Sequence, residues 1–197
     1  MTLTNKSNIL IINGHPDSAS FNATLADAYA TGALDSGAQV RRLNLAELAF
    51  NPTLSFGYRK RTELEPDLIR AQELIRWAHH LVFVYPTWWG AMPALLKGFI
   101  DRVFLPGFAF KYRENSALWD KLLSGRTAHL LVTMDTPSWY NRLVYRNAGH
   151  IVMKKNILKF CGINPVRITE LTPIKPSTPE QRAKWLKKAK TLGEKKS

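Results

Sequence analysis

Gly14-His15-Pro16-Asp17-Ser18-Ala19-Ser20-Phe21-Asn22 follows a run of aliphatic residues and leads into a helix-like pattern. An imidazole and two hydroxyls, those of Ser18 and Ser20, stand where the helix would begin, with Ser20 or Asn22 as its N-cap. A helix N-terminus offers free backbone N–H groups and the positive end of the helix dipole, which suits a phosphate. The same residues also fit a plain capped turn. The stretch has neither a GxGxxG nor a P-loop pattern, so nothing supports a dinucleotide-binding Rossmann turn or a nucleoside triphosphatase.

A second stretch, Tyr85-Pro86-Thr87-Trp88-Trp89-Gly90, puts two adjacent tryptophans on a turn punctuated by proline and glycine. Such a pair either plugs a core or a partner interface, or walls a planar ring. A third, Thr133-Met134-Asp135-Thr136-Pro137-Ser138-Trp139-Tyr140, offers hydroxyls and backbone amides to the edge of that ring. A phosphate end, a planar slot and a polar edge together describe a flavin.

These stretches must be brought together by the elements around them. Apolar, β-branched runs at 8–13, 38–45, 81–85, 127–134 and 166–171 alternate with helical-period segments at 21–36, 65–78, 93–103, 151–161 and 179–192. Nearly continuous apolar strands with helices between them signal βαβ units and a parallel sheet covered on both faces. The expected fold is therefore α/β, a flavodoxin-like doubly wound five-stranded parallel sheet of order 2-1-3-4-5, with one domain over 1–197 and a basic tail at about 193–197. In such a sheet ligands sit beyond the carboxyl ends of the strands, where strand order reverses. Here that means the loops after the first, third and fourth strands, which are the three stretches above. The helix after the tryptophans carries Phe99, Val103 and Phe104 as core or subunit contact.

The chain is 45% hydrophobic and 22% charged, an ordinary globular balance with no apolar run of membrane-spanning length. The N-terminus lacks a signal-peptide layout, and the single cysteine, Cys161, excludes an intrachain disulfide; both fit a cytoplasmic setting. A net charge of +13 favours anionic partners. No nucleic-acid motif accompanies it, and its densest run, RAKWLKKAKTLGEKK, reads as a solvated helix face.

GHPDSASFN, YPTWWGAMPALLKGFIDRVFLPGFAF and ILKFCGI together resemble the NAD(P)H:quinone oxidoreductases of the flavodoxin-like superfamily. That group includes the DT-diaphorase, modulator of drug activity B and potassium-efflux ancillary flavoproteins. The resemblance implies a flavin, either FMN or FAD, with chain length favouring FMN, and two-electron ping-pong hydride transfer from NAD(P)H to quinones or to azo and nitro compounds. It places His15, Ser20, Phe21 and Asn22 at the ribityl-phosphate portion, Thr87, Trp88, Trp89 and Gly90 along one ring edge, and Thr133, Met134, Asp135 and Thr136 along the other. Phe108, Phe110 and Tyr112 would close the substrate pocket from the partner subunit of a homodimer. Tyr140 and His150 are the candidates for a proton relay, with Tyr145 competing. The chain departs from the family where relatives carry Thr-Thr-Gly-Gly and this sequence has Thr-Met-Asp-Thr, so Asp135 either faces the ring or caps a turn. The alternative function is a flavin-binding regulatory subunit docked on a membrane transporter.

Overall fold

The computed structural model describes residues 7–60 and 62–195. The N-terminal stretch at 1–6 and the last two residues of the expected basic tail lie outside the described residues. A five-stranded sheet organises the chain. Its strands are β1 (Asn8–Asn13), β2 (Gln39–Asn44), β3 (His80–Pro86), β6 (Thr127–Thr133) and β7 (Val166–Leu171), and every pairing among them is parallel. They lie in the order β2-β1-β3-β6-β7. The numbering departs from the expected 2-1-3-4-5 because two short strands, β4 (Phe110–Tyr112) and β5 (Trp119–Lys121), intervene and pair antiparallel as a separate hairpin.

Side-chain alternation decides which face each strand residue serves. Leu10, Ile12, Phe83, Tyr85, Leu130 and Val132 point to the layer holding α2 (Pro66–Trp77) and α3 (Ala94–Val103). Ile9, Ile11, Val82, Val84 and Leu131 point to the opposite layer, built from α1 (Phe21–Asp35) and α6 (Pro179–Glu194). Central β3 is buried along its whole length, whereas edge strand β2 exposes Arg41 and Arg42.

The helices begin where their caps dictate. Ser20 Oγ accepts from the amide of Ala23 at the start of α1, and Thr178 Oγ1 accepts from Gln181 N at the start of α6, with Pro179 at its first position. Between β6 and β7 lie a short helix, α4 (Ser138–Leu143), and α5 (Ala148–Ile151), which continues as a wider π-type helix over Val152–Lys159. The helix expected at 151–161 thus starts three residues earlier. Gly193 and Glu194, assigned to the tail in the sequence reading, are the end of α6.

Helices α1 and α6 pack backbone to backbone. A Cβ on Gly32 would lie 1.9 Å from the carbonyl oxygen of Lys190, and one on Gly193 would lie 2.1 Å from that of Tyr29. Only glycine permits this approach. No helix among the described residues is long and apolar enough to cross a membrane.

Candidate functional site

The carboxyl ends of β1, β3 and β6 are zipped together past the last paired residues. Gly14 N donates to Val84 O at 2.8 Å, and Thr87 N donates to Thr133 O at 2.7 Å. This register lays the three predicted loops side by side. Two further contacts join them directly. Thr133 Oγ1 donates to Asn22 Oδ1 at 3.1 Å, linking the first loop to the third, and the rings of His15 and Trp88 meet edge-on at 5.4 Å, linking the first to the second.

The first loop is held open by its own side chains. His15 N donates to Asn13 Oδ1, Asp17 N to His15 Nδ1 at 2.9 Å, and Ala19 N to Asp17 Oδ1 at 2.9 Å. Because Nδ1 of His15 accepts, the neutral ring carries its proton on Nε2, free to donate outward. Both readings of Ser20 therefore meet: it caps α1, and the first N–H groups of that helix still have no intrahelical acceptor. Asn22 is buried, and its Nδ2 has no partner among the described residues. A buried donor without a partner costs about 1–3 kcal/mol, which a ligand acceptor would relieve.

The second loop is a two-residue turn. Trp88 and Ala91 exchange both backbone hydrogen bonds, at 2.9 and 3.0 Å, with Trp89 at φ 50° and Gly90 at φ 75° between them. Left-handed φ at both central positions marks a type I′ turn, natural for Gly90 and costly for a bulky residue such as Trp89. Trp89 is fully exposed and Trp88 nearly half exposed, so neither plugs a core in this chain. Such an outlier points to a purpose outside the fold.

The third loop is buttressed from β7. Met134 is buried and donates its N–H to Leu171 O. Asp135 Oδ1 accepts from Lys175 N at 2.7 Å, and Thr136 O accepts from the hydroxyl of Thr172 at 2.7 Å. Asp135 is thereby tied to the backbone that follows β7.

The remaining predicted residues fall differently. Phe108 and Phe110 are 7% and 8% exposed and belong to the core of this chain, as do Phe99, Val103 and Phe104. Only Tyr112 is free to reach a partner, at 61% exposure. Phe110 packs edge-on against Phe160, which stacks on Trp119. Phe110 and Tyr112 nevertheless line a cavity of about 510 Å3 with Tyr58, Phe104 and Phe160. Tyr140 and His150 share no hydrogen bond among the described residues. The Tyr140 ring lies between Trp139 and Tyr145, while His150 Nε2 meets Glu170 Oε1 at 2.8 Å and Asn141 Nδ2 at 3.3 Å. Burial pushes the Glu170 carboxyl up, but hydrogen bonds from Ser138, His150 and Asn141 and the charge of His150 outweigh it and hold the group below its ordinary value.

One residue at the cleft escaped the sequence reading. Arg182, in the first turn of α6, lies over the Phe21 ring at 5.4 Å and is steadied by Ser177 Oγ, accepting from its Nε at 2.9 Å. It sits beside the start of α1 because α6 packs along α1. In sequence it was one more cation in a basic helix.

A family model described as a flavodoxin-like fold matches residues 7–192. The uncharacterized NAD(P)H oxidoreductase YcaK of Escherichia coli K12 is 33% identical over 178 residues, 83% of this chain and 82% of that one. The crystal structure of Smu.1420 from Streptococcus mutans UA159 is 37% identical, with a TM-score of 0.83 over 95% of this chain and 99% of that one. The NAD(P)H:quinone oxidoreductase of Methanothermobacter marburgensis is 25% identical, with a TM-score of 0.81 over 96% and 98%.

Proposed function

Because the chain belongs to the flavodoxin-like fold family, we propose that it is a flavin-dependent NAD(P)H oxidoreductase whose acceptor is a quinone or a similar flat, reducible compound. The observation that carries this reading is the joining of the three loops by the Asn22–Thr133 and His15–Trp88 contacts. When bound, the flavin supplies two-electron hydride chemistry, by which NAD(P)H and the acceptor react in alternation. The chain's own residues bind and orient. His15 Nε2, the first amides of α1 and Arg182 hold the phosphate; Asn22 Nδ2 gains the acceptor it lacks; Trp88 and Trp89 wall the ring; and amides of the 133–136 loop face its polar edge. The unpartnered Asn22 donor is what makes these residues fit a flavin, and FMN is the form proposed. Tyr140, at the rim of the third loop, is the proposed proton donor of the pair. His150 acts with it only after leaving Glu170.

The test is the absorbance spectrum of the purified protein, followed by chromatography of whatever denaturation releases. Yellow protein yielding FMN is expected. Colourless protein that takes up neither FMN nor FAD would overturn the reading.

His15→Ala should weaken flavin retention by roughly 10- to 100-fold, the size of one charge-assisted hydrogen bond of ~1.5–3 kcal/mol, as measured by dialysis against apoprotein. Trp89→Gly removes the left-handed strain, so the melting temperature should hold or rise, while turnover falls. A drop in melting temperature with unchanged kinetics would return Trp89 to a purely structural role.

The protein is proposed to act as a cytoplasmic homodimer of one-domain subunits. The motive shifts from Phe104–Tyr112, mostly buried, to the exposed apolar side chains of Trp139, Leu143, Val144, Tyr145, Ile151 and Val152, beside Trp88 and Trp89. So much apolar surface is seldom left wet on a monomer. Sedimentation showing a fully active monomer at micromolar concentration would refute it.

The net charge of +13 should steer phosphorylated donors. The value of kcat/KM for NADPH should therefore fall with salt more steeply than that for NADH, as the screening length shrinks to ~10 Å at 0.1 M. Equal slopes would assign the charge to docking on an acidic partner such as a transporter.

A further inference from the structure

The open edge of β7 carries a second candidate site. A groove of about 550 Å3 runs there between α5 and α6. Ile168, Thr169 and Glu170 form its floor, Lys154 and Lys155 one wall, and Lys188 the other. An adjoining recess of about 440 Å3 shares Ser138, Asn147 and Glu170 with it and adds Arg142.

Three lysines thus line the groove and Arg142 the recess beside it, and among the described residues none of the four forms an ion pair. The one carboxylate present is already engaged. Glu170 Oε1 accepts from His150 Nε2 at 2.8 Å and from Asn141 Nδ2 at 3.2 Å, and Asn141 also donates to Asn147 Oδ1 at 3.2 Å. His150 and Asn141 are both more than nine-tenths buried, so the floor is built from interior side chains. Around it stand like charges that no carboxylate among the described residues pairs with. The Ser138 hydroxyl, like His150 and Asn141, is committed to Glu170, and Thr169 Oγ1 pairs with His129 Nε2 at 2.9 Å, so the free donors of the lining are its cations. Arginine grips phosphate through its planar fork and lysine as a point charge, and both kinds are present.

We propose that this groove binds a phosphate monoester dianion, at a site separate from the flavin's phosphate cradle. Its position suggests two sources. Ser138 begins α4 directly after the 133–136 loop, and at the start of α5 a Cβ on Gly149 would lie 2.2 Å from the carbonyl oxygen of Gly90. The groove therefore opens beside the three loops, and the 2′-phosphate of a donor bound at them is the first source. Another phosphorylated metabolite is the second source. The binding site stands on the groove alone; its assignment to the donor rests on the redox reading.

The test titrates inorganic phosphate and adenosine 2′,5′-bisphosphate into the full-length protein and into a Lys154→Gln/Lys155→Gln/Lys188→Gln variant, following amide shifts by NMR. Saturable shifts confined to Ser138, Lys154, Thr169 and their neighbours are expected in the native chain. Affinity should fall at least about tenfold in the variant, the factor carried by one charge-assisted contact. No saturation, or equal affinity in both proteins, would overturn the proposal. Steady-state kinetics then separates the sources. A KM for NADPH raised about tenfold in the variant, with NADH kinetics unchanged, identifies the donor's 2′-phosphate. Unchanged kinetics alongside lost phosphate binding identifies a separate phosphorylated molecule. A flavin-free, inactive protein would sink the redox reading and leave the titration to decide the groove.

Discussion

Arg102→Met is expected to destabilise the protein by roughly 3 kcal/mol, toward the lower end of the ~3–5 kcal/mol seen when one partner of a buried ion pair is removed. Arg102 is 1% exposed and grips Glu65 with both terminal nitrogens, at 2.8 and 3.2 Å, while also donating to the carbonyls of Asn51 and Glu63. It therefore staples the long 51–65 segment onto α3. The lower figure applies because the Glu65 side chain keeps 30% exposure, and water recovers part of the loss. Urea unfolding at pH 7 measures the effect. Its pH dependence has a definite sign. Burial pushes the Glu65 carboxyl up, but hydrogen bonds from backbone amides and from Arg102, with the charge of Arg102, outweigh it and hold the group below its ordinary value. The pair's contribution is then full above the ordinary carboxylate pKa of ~4.3 and lost as pH falls below it, so the gap between the two proteins should narrow in acid to what the Asn51 and Glu63 carbonyl bonds and packing supply. A gap that stays constant down to acid pH would show that the Glu65 pairing contributes nothing and that Arg102 acts through its carbonyl bonds and packing.

Gly193→Val should be nearly as damaging, and it should also cost the cofactor. The added carbon would meet Tyr29 O at 2.1 Å and Ala33 N at 2.8 Å, both backbone atoms that no rotamer change can move. Helix α6 must shift off α1, at the top of the ~1–3 kcal/mol range for overpacking. Arg182 travels with α6, away from Phe21 and the phosphate end of the cleft. Melting temperature and bound flavin per subunit should both fall. A variant with native stability and a full complement of flavin would show that the close helix contact is dispensable.

The main sheet was legible because buried parallel strands are written as apolar runs. NILIIN and VRITEL end where β1 and β7 end. The hairpin of β4 and β5 was not legible. Three-residue strands hold too little alternation to read, and this pair is fixed by distant contacts, with Trp119 stacked on Phe160 and donating through Nε1 to its carbonyl at 2.9 Å. The same contacts draw Phe110 inward, which the resemblance alone could not convey. At the site, the three loops were readable from turn chemistry and strand order. Glu170 was hidden inside a strand pattern, since its partner His150 reaches it only after the chain has passed through α5. Arg182 was hidden among lysines, because only the packing of α6 on α1 tells which cation of that helix faces the cleft.

That same packing sets an order of events during synthesis. Helix α1 follows the first of the three loops, yet the flank at Gly32 is covered by α6, which is translated some 150 residues later. A nascent chain that has exposed the three loops but not α6 has no Arg182 over Phe21 and leaves one flank of α1 uncovered, although the sheet still backs it. Flavin capture is therefore expected to follow emergence of α6 from the ribosome, which makes the coloured protein a report that translation has passed that point. Chains stalled before Pro179 should remain colourless in a flavin-rich extract, and retention of flavin by such chains would show that the loops alone suffice.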